Sequence, residues 1–379
     1  MTIPGVNRSR WIPAALLPIL LWTAVDGKAV AEPATLEIGS PAPDFNLPGV
    51  DGRNYKLSDF SDAKVLVVVF TCNHCPTAQA YEKRINTLVN DYRGKGVALV
   101  AISPNDPQAV RLDELGYTDL SDSFEEMKIR AEDHKFNFPY LYDGADEKVS
   151  RAYGPTATPH VFIFDQDRKL RYVGRIDNSE KPGKVTSSDT RNAIEALLSG
   201  RKVPVEKTKT FGCSIKWSDK RASVKSAFQE WAKEPVSLQP IDEQGIAALM
   251  RNGSKKLRLI NVWATWCGPC VVEFPELVTI NRMYRGREFE LITISADTPE
   301  NREQALAFLK KQQASATNYI FNIDDKYKLV EAVDKEWPGA LPYTILVEPG
   351  GKIIYRVQGE LSPLELKRAI VAYVGRYYP

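Results

Sequence analysis

Histidine is almost absent from this chain: three residues in 379, against 50 basic and 48 acidic side chains. The formal net charge is only +2, and no long run of one sign occurs. Such a balance gives no electrostatic footing for nucleic acid or an anionic membrane surface, so neither is expected as a partner. Low-complexity tracts are missing as well. A hydrophobic content of 43% suffices for ordinary cores, which argues against a largely disordered chain. Nor is there a comfortable membrane span, which needs roughly 20 apolar residues. The most apolar stretch, "WIPAALLPILLWTAV" from position 11, is short and broken by Pro13 and Pro18.

That stretch follows Arg8 and Arg10 and leads to Ala29-Val30-Ala31. A basic n-region, an apolar h-region and an A-x-A site, in that order, read as a secretory signal. Residues 1–31 are therefore expected to be a signal peptide cleaved near Ala31, an uncleaved anchor being the alternative, and the protein to be exported, to the periplasm. No cysteine lies near the cut, which argues against a lipoprotein. In an oxidising compartment closely spaced thiols can persist as disulfides.

Cysteine is sparse, five residues, and four of them form two C-x-x-C pairs, Cys72/Cys75 and Cys267/Cys270, leaving Cys213 over. Alone, "TCNHCP" would suit half a zinc site, a haem attachment, a copper site or a redox disulfide. A zinc ribbon wants a second pair about 15–20 residues away, and none is there. Haem attachment wants histidine directly after the second cysteine, where this chain has Pro76.

The chain repeats itself, and the repeat decides the matter. "KVLVVVF" precedes the first pair and "LRLINVW" the second. A helical pattern follows each, ending in Tyr92-Arg93-Gly94 and Tyr284-Arg285-Gly286, and then an apolar run ending in Ile-Ser. Further on, "ATPHVFIFDQDRKLRYVG" and "ALPYTILVEPGGKIIYRVQG" each read as a proline entry and a hairpin, and each half closes on an amphipathic helix. The excess length of the first copy is accounted for by an insertion after Ser103, "PNDPQAVRLDELGYTDLSDS". The pattern predicts an α/β protein with two tandem copies of one fold, each a mixed sheet flanked by helices. The boundaries are 35–200 for domain 1, 201–235 for a lysine-rich linker with a short helix and Cys213, and 236–379 for domain 2.

"WATWCGPCVVEFPEL" resembles the active site of the thioredoxin superfamily, in the style of TlpA/ResA-type thiol-disulfide oxidoreductases. A thiol at a helix N-terminus faces unpaired N–H groups and the positive end of the dipole, both of which favour thiolate. Cys267 would then be the nucleophile, between Trp266 and the Gly268-Pro269 turn, and Cys270 the resolving thiol. The resemblance makes Pro342 a cis proline beside the disulfide, whose neighbour's backbone binds the substrate chain. Where thioredoxin has a buried aspartate, this chain has Asn261, and Glu273 offers a carboxylate able to move protons for Cys270. An ordinary first-turn glutamate is the plainer alternative.

"IGSPAPDFNLPGVDGRNYKLSDF", positions 38–60, resembles the entry of redoxin/peroxiredoxin-like (AhpC/TSA) proteins. With Pro159 as its cis proline, the first copy would place Cys72 and Cys75 on the same helix start as Cys267 and Cys270, with Cys72 attacking and Cys75 resolving. His74 would favour thiolate at Cys72 and raise the reduction potential, or be an inert loop residue. His160, after Pro159, is expected near the cysteines.

The expected function is an exported thiol-disulfide oxidoreductase exchanging disulfides with protein thiols and an upstream redox partner, with no bound cofactor and electrons passing from the second centre to the first. Two alternatives concern domain 1. Cys72, Cys75 and His160 would make a copper site similar to that of the Sco copper-insertion proteins. "FTCNHCPT" is similar to the peroxiredoxin F-T-x-x-C-P-T stretch with one extra residue, Arg151 being a distant candidate for the arginine such a peroxidase needs. Cys213 is either a resolving thiol for the first centre or a buried thiol packed with Trp217.

Overall fold

The computed structural model describes residues 1–2, 32–144, 146–323 and 325–377. The expected signal peptide lies almost wholly outside the described residues. Among those described, no helix is long and apolar enough to cross a membrane.

Domain 1 opens with a small antiparallel ribbon, β1 (Asn46–Pro48) and β2 (Asn54–Lys56). The run of branched residues at Val65–Phe70 is strand β3, buried throughout, as a strand covered on both faces should be. Then come α1 (Pro76–Tyr92), β4 (Val97–Ser103), α2 (Phe124–Asp133), β5 (Tyr140–Tyr142), α3 (Lys148–Tyr153), β6 (His160–Phe164), β7 (Leu170–Gly174) and α4 (Asp189–Leu198). The sheet order is β5-β4-β3-β6-β7, with β3, β4 and β5 parallel and β6 and β7 antiparallel. Alternate β6 residues serve two cores: Val161 and Ile163 pack with α1, and Phe162 and Phe164 with α3.

Residues 201–235 contain the expected short helix, α5 (Arg221–Trp231). They do not form a free tether. The Glu206 carbonyl accepts from Val173 and the Thr208 N–H donates back to Val173, 2.9 and 3.1 Å, so the segment runs beside β7 and across domain 1.

Domain 2 comprises β8 (Gln239–Ile241), α6 (Glu243–Arg251), β9 (Leu257–Trp263), α7 (Gly268–Tyr284), β10 (Phe289–Ser295), α8 (Arg302–Lys311), β11 (Thr317–Phe321), α9 (Lys326–Val333), β12 (Tyr343–Val347), β13 (Ile353–Gln358) and α10 (Pro363–Val374). Its sheet runs β13-β12-β9-β10-β11-β8, again mixed.

The insertion at 104–123 joins the halves. Val110 and Leu115 belong to the same apolar cluster as the core of domain 2, and the turn Leu112–Leu115 packs on α7. The Tyr284 hydroxyl donates to the Thr118 carbonyl at 2.7 Å, and Arg287 donates to Gly116 O at 2.6 Å. Helix α7 therefore buries residues on nearly all sides, because its own sheet covers one face and domain 1 another.

Candidate active site

In domain 1 the loop after β3 ends at Cys75, the N-cap of α1. Its extended backbone lets the Sγ atom accept the Ala78 N–H at 3.4 Å, and Pro76 starts the helix where no N–H is needed. In domain 2 the N-cap is Cys267, whose Sγ accepts the Cys270 N–H at 3.3 Å. The expected placement of Cys72 and Cys75 on the same helix start as Cys267 and Cys270 is therefore corrected. Cys75 is the counterpart of Cys267, and Cys72 lies one loop earlier.

Cys72 and Cys75 are 2% and 0% exposed. Cys72 Sγ lies 3.2 Å from the Thr158 hydroxyl, and Cys75 Sγ 3.3 Å from the Thr158 carbonyl. Thr158 precedes Pro159 through a cis peptide bond, as Leu341 precedes Pro342. His74 is not a solvent-facing loop residue. It is buried, with Nδ1 2.5 Å from Asp122 Oδ2 and 3.6 Å from Cys72 Sγ. Asp122 also accepts the Asn73 and His74 N–H groups and the Asn105 amide, at 2.8, 3.0 and 2.7 Å.

This network separates the thiols electrostatically. Burial pushes the Cys72 thiol well up, and the neighbouring Asp122 charge adds to it. Burial pushes Cys75 up as well, but hydrogen bonds from Cys213 and Cys72, the His74 charge and the Ala78 N–H overcome it and hold Cys75 well below the usual thiol value. For His74, burial opposes protonation, and the Asp122 carboxylate more than offsets this, so the ring titrates above its ordinary value.

The expectation that His160 sits with the cysteines does not hold. Strand alternation turns its ring to the face opposite α1, where it packs on Phe162 with centroids 4.8 Å apart and accepts the Thr156 N–H at 3.2 Å. Burial drives its pKa down to about 4. A Cys72, Cys75, His160 copper triad is thus not assembled. Among the described residues, the metal-ligating groups that do lie together are Cys72, His74 and Asp122, mutually within 4.8 Å. Two of these already form a buried ion pair. Arg151 is engaged away from the thiols, with Glu147 at 2.6 Å and over the Trp217 ring at 4.7 Å. Cys213, half-buried, packs against the cluster of Cys72, Cys75 and Ala78.

At the second centre Cys267 and Cys270 form a disulfide. Trp266 is 59% exposed beside it, with the Lys326 ammonium 4.6 Å above the ring, and Pro269 lies in the first turn of α7. Glu273, only 8% exposed, accepts the Asn261 amide and the Leu361 N–H, both at 3.3 Å. Burial raises its carboxyl to about 7, and these hydrogen bonds offset only part of that. It borders a cleft with Pro269, Val272, Glu276, Glu360 and Leu361. Asp297 anchors the loop by accepting from the Thr265 N–H at 3.0 Å and from its hydroxyl at 2.6 Å. Thr158, Asn105, Asp122 and Asp297 carry no signal in a single sequence, since each reaches its site from a distant element.

The AhpC/TSA family matches residues 38–173, and the Redoxin family matches residues 245–371. The chain is 24% identical over 190 residues to a thiol-disulfide oxidoreductase ResA of Geobacillus thermodenitrificans, covering 50% of this chain and 94% of that protein. It is 30% identical over 131 residues to the thiol:disulfide interchange protein HelX of Rhodobacter capsulatus, covering 34% of this chain and 66% of HelX. Among solved structures, an uncharacterized conserved protein from Geobacillus kaustophilus is 40% identical with a TM-score of 0.44, covering 50% of this chain and 96% of that one.

Proposed function

For a chain that carries an AhpC/TSA-family domain and a Redoxin-family domain in tandem, we propose the function of an exported thiol-disulfide oxidoreductase with two thiol centres acting on protein thiols and disulfides. The observation that carries this reading is the shared geometry of the centres. In each, a cysteine caps the N-terminus of a 17-residue helix, and a cis X–Pro bond opens the strand that pairs antiparallel with the strand before that cysteine. The names ResA and HelX, borne by relatives, agree with it.

At the second centre the reduced Cys267 thiolate attacks a substrate disulfide, releases one substrate thiolate and forms a mixed disulfide. Cys270 then attacks Cys267 Sγ, releases the second substrate thiolate and closes the disulfide. Glu273, one turn along the helix, takes the Cys270 proton as that thiol becomes a nucleophile. Exposed Trp266 supplies an apolar contact for the incoming chain.

At the first centre Cys75, not Cys72, is the attacking thiol. A thiolate favoured by its surroundings stabilises the reduced form and makes a couple more oxidising. Electrons are accordingly proposed to run from the second centre to the first. The chemistry needs no resident cofactor, and metal analysis of the purified protein checks that. The deciding experiment is dithiothreitol-driven insulin reduction by the full chain and by C267S, C75S and the double variant. Each single variant should lose part of the activity and the double variant all of it. Unchanged activity in the double variant would sink the proposal.

A further inference from the structure

The thiols of domain 1 are buried, and residues 206–215 run past them as a strap. That strap is tied down along its length. Beyond its pairing with Val173, the Thr210 hydroxyl donates to Pro159 O at 2.8 Å, and the Thr158 N–H donates to Cys213 O at 2.9 Å. Gly212 has φ +142°, and a Cβ there would stand 1.9 Å from Thr158 O, so the strap approaches at backbone contact where only glycine fits. The next residue is Cys213. Its N–H donates to Cys75 Sγ at 3.3 Å, and its side chain packs against the cluster of Cys72, Cys75 and Ala78.

We propose that Cys213 is a third redox thiol of this centre and that it, carried on the strap, closes the disulfide with Cys75. The proposal rests on the reading of Cys75 as the attacking thiol. The oxidant is a substrate disulfide. The Cys75 thiolate breaks its S–S bond, forms a mixed disulfide with one half and releases the other half as a thiolate. The Cys213 thiolate then attacks Cys75 Sγ, and the remaining half leaves as the second thiolate. Two electrons pass from the protein to the substrate, and the two protons given up by Cys75 and Cys213 go to the departing thiolates or to solvent. Cys72 is the poorer resolver, because its sulfur is held between Thr158 and His74 and burial keeps its proton on.

The test uses the full chain, reduced, freed of reductant, exposed to oxidised glutathione, alkylated and digested with trypsin. Cys72 and Cys75 share the peptide 65–83, whereas Cys213 falls in 210–216. A cross-link joining the two peptides is expected in the wild type, retained in Cys72→Ser and lost in Cys75→Ser and Cys213→Ser. A Cys72–Cys75 bond inside the first peptide, with Cys213 alkylated, would overturn the role of Cys213 while leaving that of Cys75 intact. A lasting glutathione adduct on Cys75 in the wild type would overturn it equally. No oxidation of Cys75 at all, with Cys267–Cys270 oxidised, would bring down both the proposal and the reading of domain 1 as a thiol centre.

Discussion

Cys75 stands to its helix as Cys267 stands to its own. Each immediately precedes a 17-residue helix and accepts the N–H three residues on, and the two lie 192 positions apart (267 less 75). On that register Ala78 matches Cys270, and Cys72 matches Ala264. Two C-x-x-C motifs that look alike in sequence therefore hold different places relative to the helix, and the helix decides which thiol is activated.

Cys75→Ser should abolish the disulfide-reductase activity of domain 1, whereas Cys72→Ser should keep the initial attack. The measurement is insulin reduction in a full chain whose Cys267 and Cys270 are serine, so that only the first centre contributes. A Cys72→Ser protein as inactive as Cys75→Ser would contradict the assignment.

Much of the fold is legible in the residues alone. Buried strands at 65–70 and 257–263, both helices after the cysteines and both proline turns follow from apolar runs and a visible repeat. The register is legible too. Tyr92-Arg93-Gly94 and Tyr284-Arg285-Gly286 lie 192 apart (284 less 92), while pairing the cysteines first gives 195 (267 less 72) and the wrong counterpart. The three-residue slip arises when a motif outweighs the secondary-structure frame. What cannot be read is the company each thiol keeps. Asp122 reaches His74 from an insertion that looks like spare length, and Cys213 arrives on a segment whose lysines suggest a solvated linker. The expected place of His160 beside the thiols fails because proximity to Pro159 along the chain says nothing of which face of β6 a ring takes.

His74→Gln should move the alkylation of Cys75 by iodoacetamide to higher pH, since the charge that helps hold the thiolate is removed. Asp122→Ala should lower stability by about 3 kcal/mol, as expected when one partner of a buried pair is removed. The signs follow from linkage. His74 titrates above its ordinary 6.5, so its contribution is complete below 6.5 and lost as pH rises through the raised value. Burial raises Asp122, but His74 and the hydrogen bonds overcome it and leave the carboxyl below its ordinary 3.8, so that contribution is present above 3.8 and lost on acidification. The stability difference between wild type and Asp122→Ala should peak between those limits. A difference independent of pH, measured by urea unfolding, would refute the pair.

Glu273→Gln should slow turnover at the second centre by about 10²-fold, a modest value for lost proton transfer. Its activity should also lose the rise with pH near 7, because only the ionised carboxylate accepts the Cys270 proton and the carboxyl titrates at about 7. The stability effect has the opposite direction. A carboxyl raised by burial stabilises the fold below its ordinary 4.5, and that contribution is lost as pH climbs to about 7. Glu273→Gln should therefore melt higher than wild type at pH 8 and no higher at pH 4. An unchanged pH–rate profile would leave Glu273 as a merely structural residue.

The junction of the two domains should act on the first centre through the same short loop. Asp119 is buried and accepts from Arg376 at 2.6 Å, with Arg368 and Arg130 at 3.5 and 3.8 Å. Tyr284 holds the adjacent Thr118 carbonyl, and Asp122 follows within the same turn of chain. Asp119→Ala strips the acceptor from a half-buried arginine and should cost about 2 kcal/mol, the scale of a hydrogen bond to a charged group. With the loop loosened, Asp122 no longer sits firmly against His74. The Cys75 alkylation profile should then shift to higher pH, in the same direction as for His74→Gln and by a smaller amount. Stability lost with the Cys75 profile unmoved would mean that the junction holds the domains together without reaching the thiol.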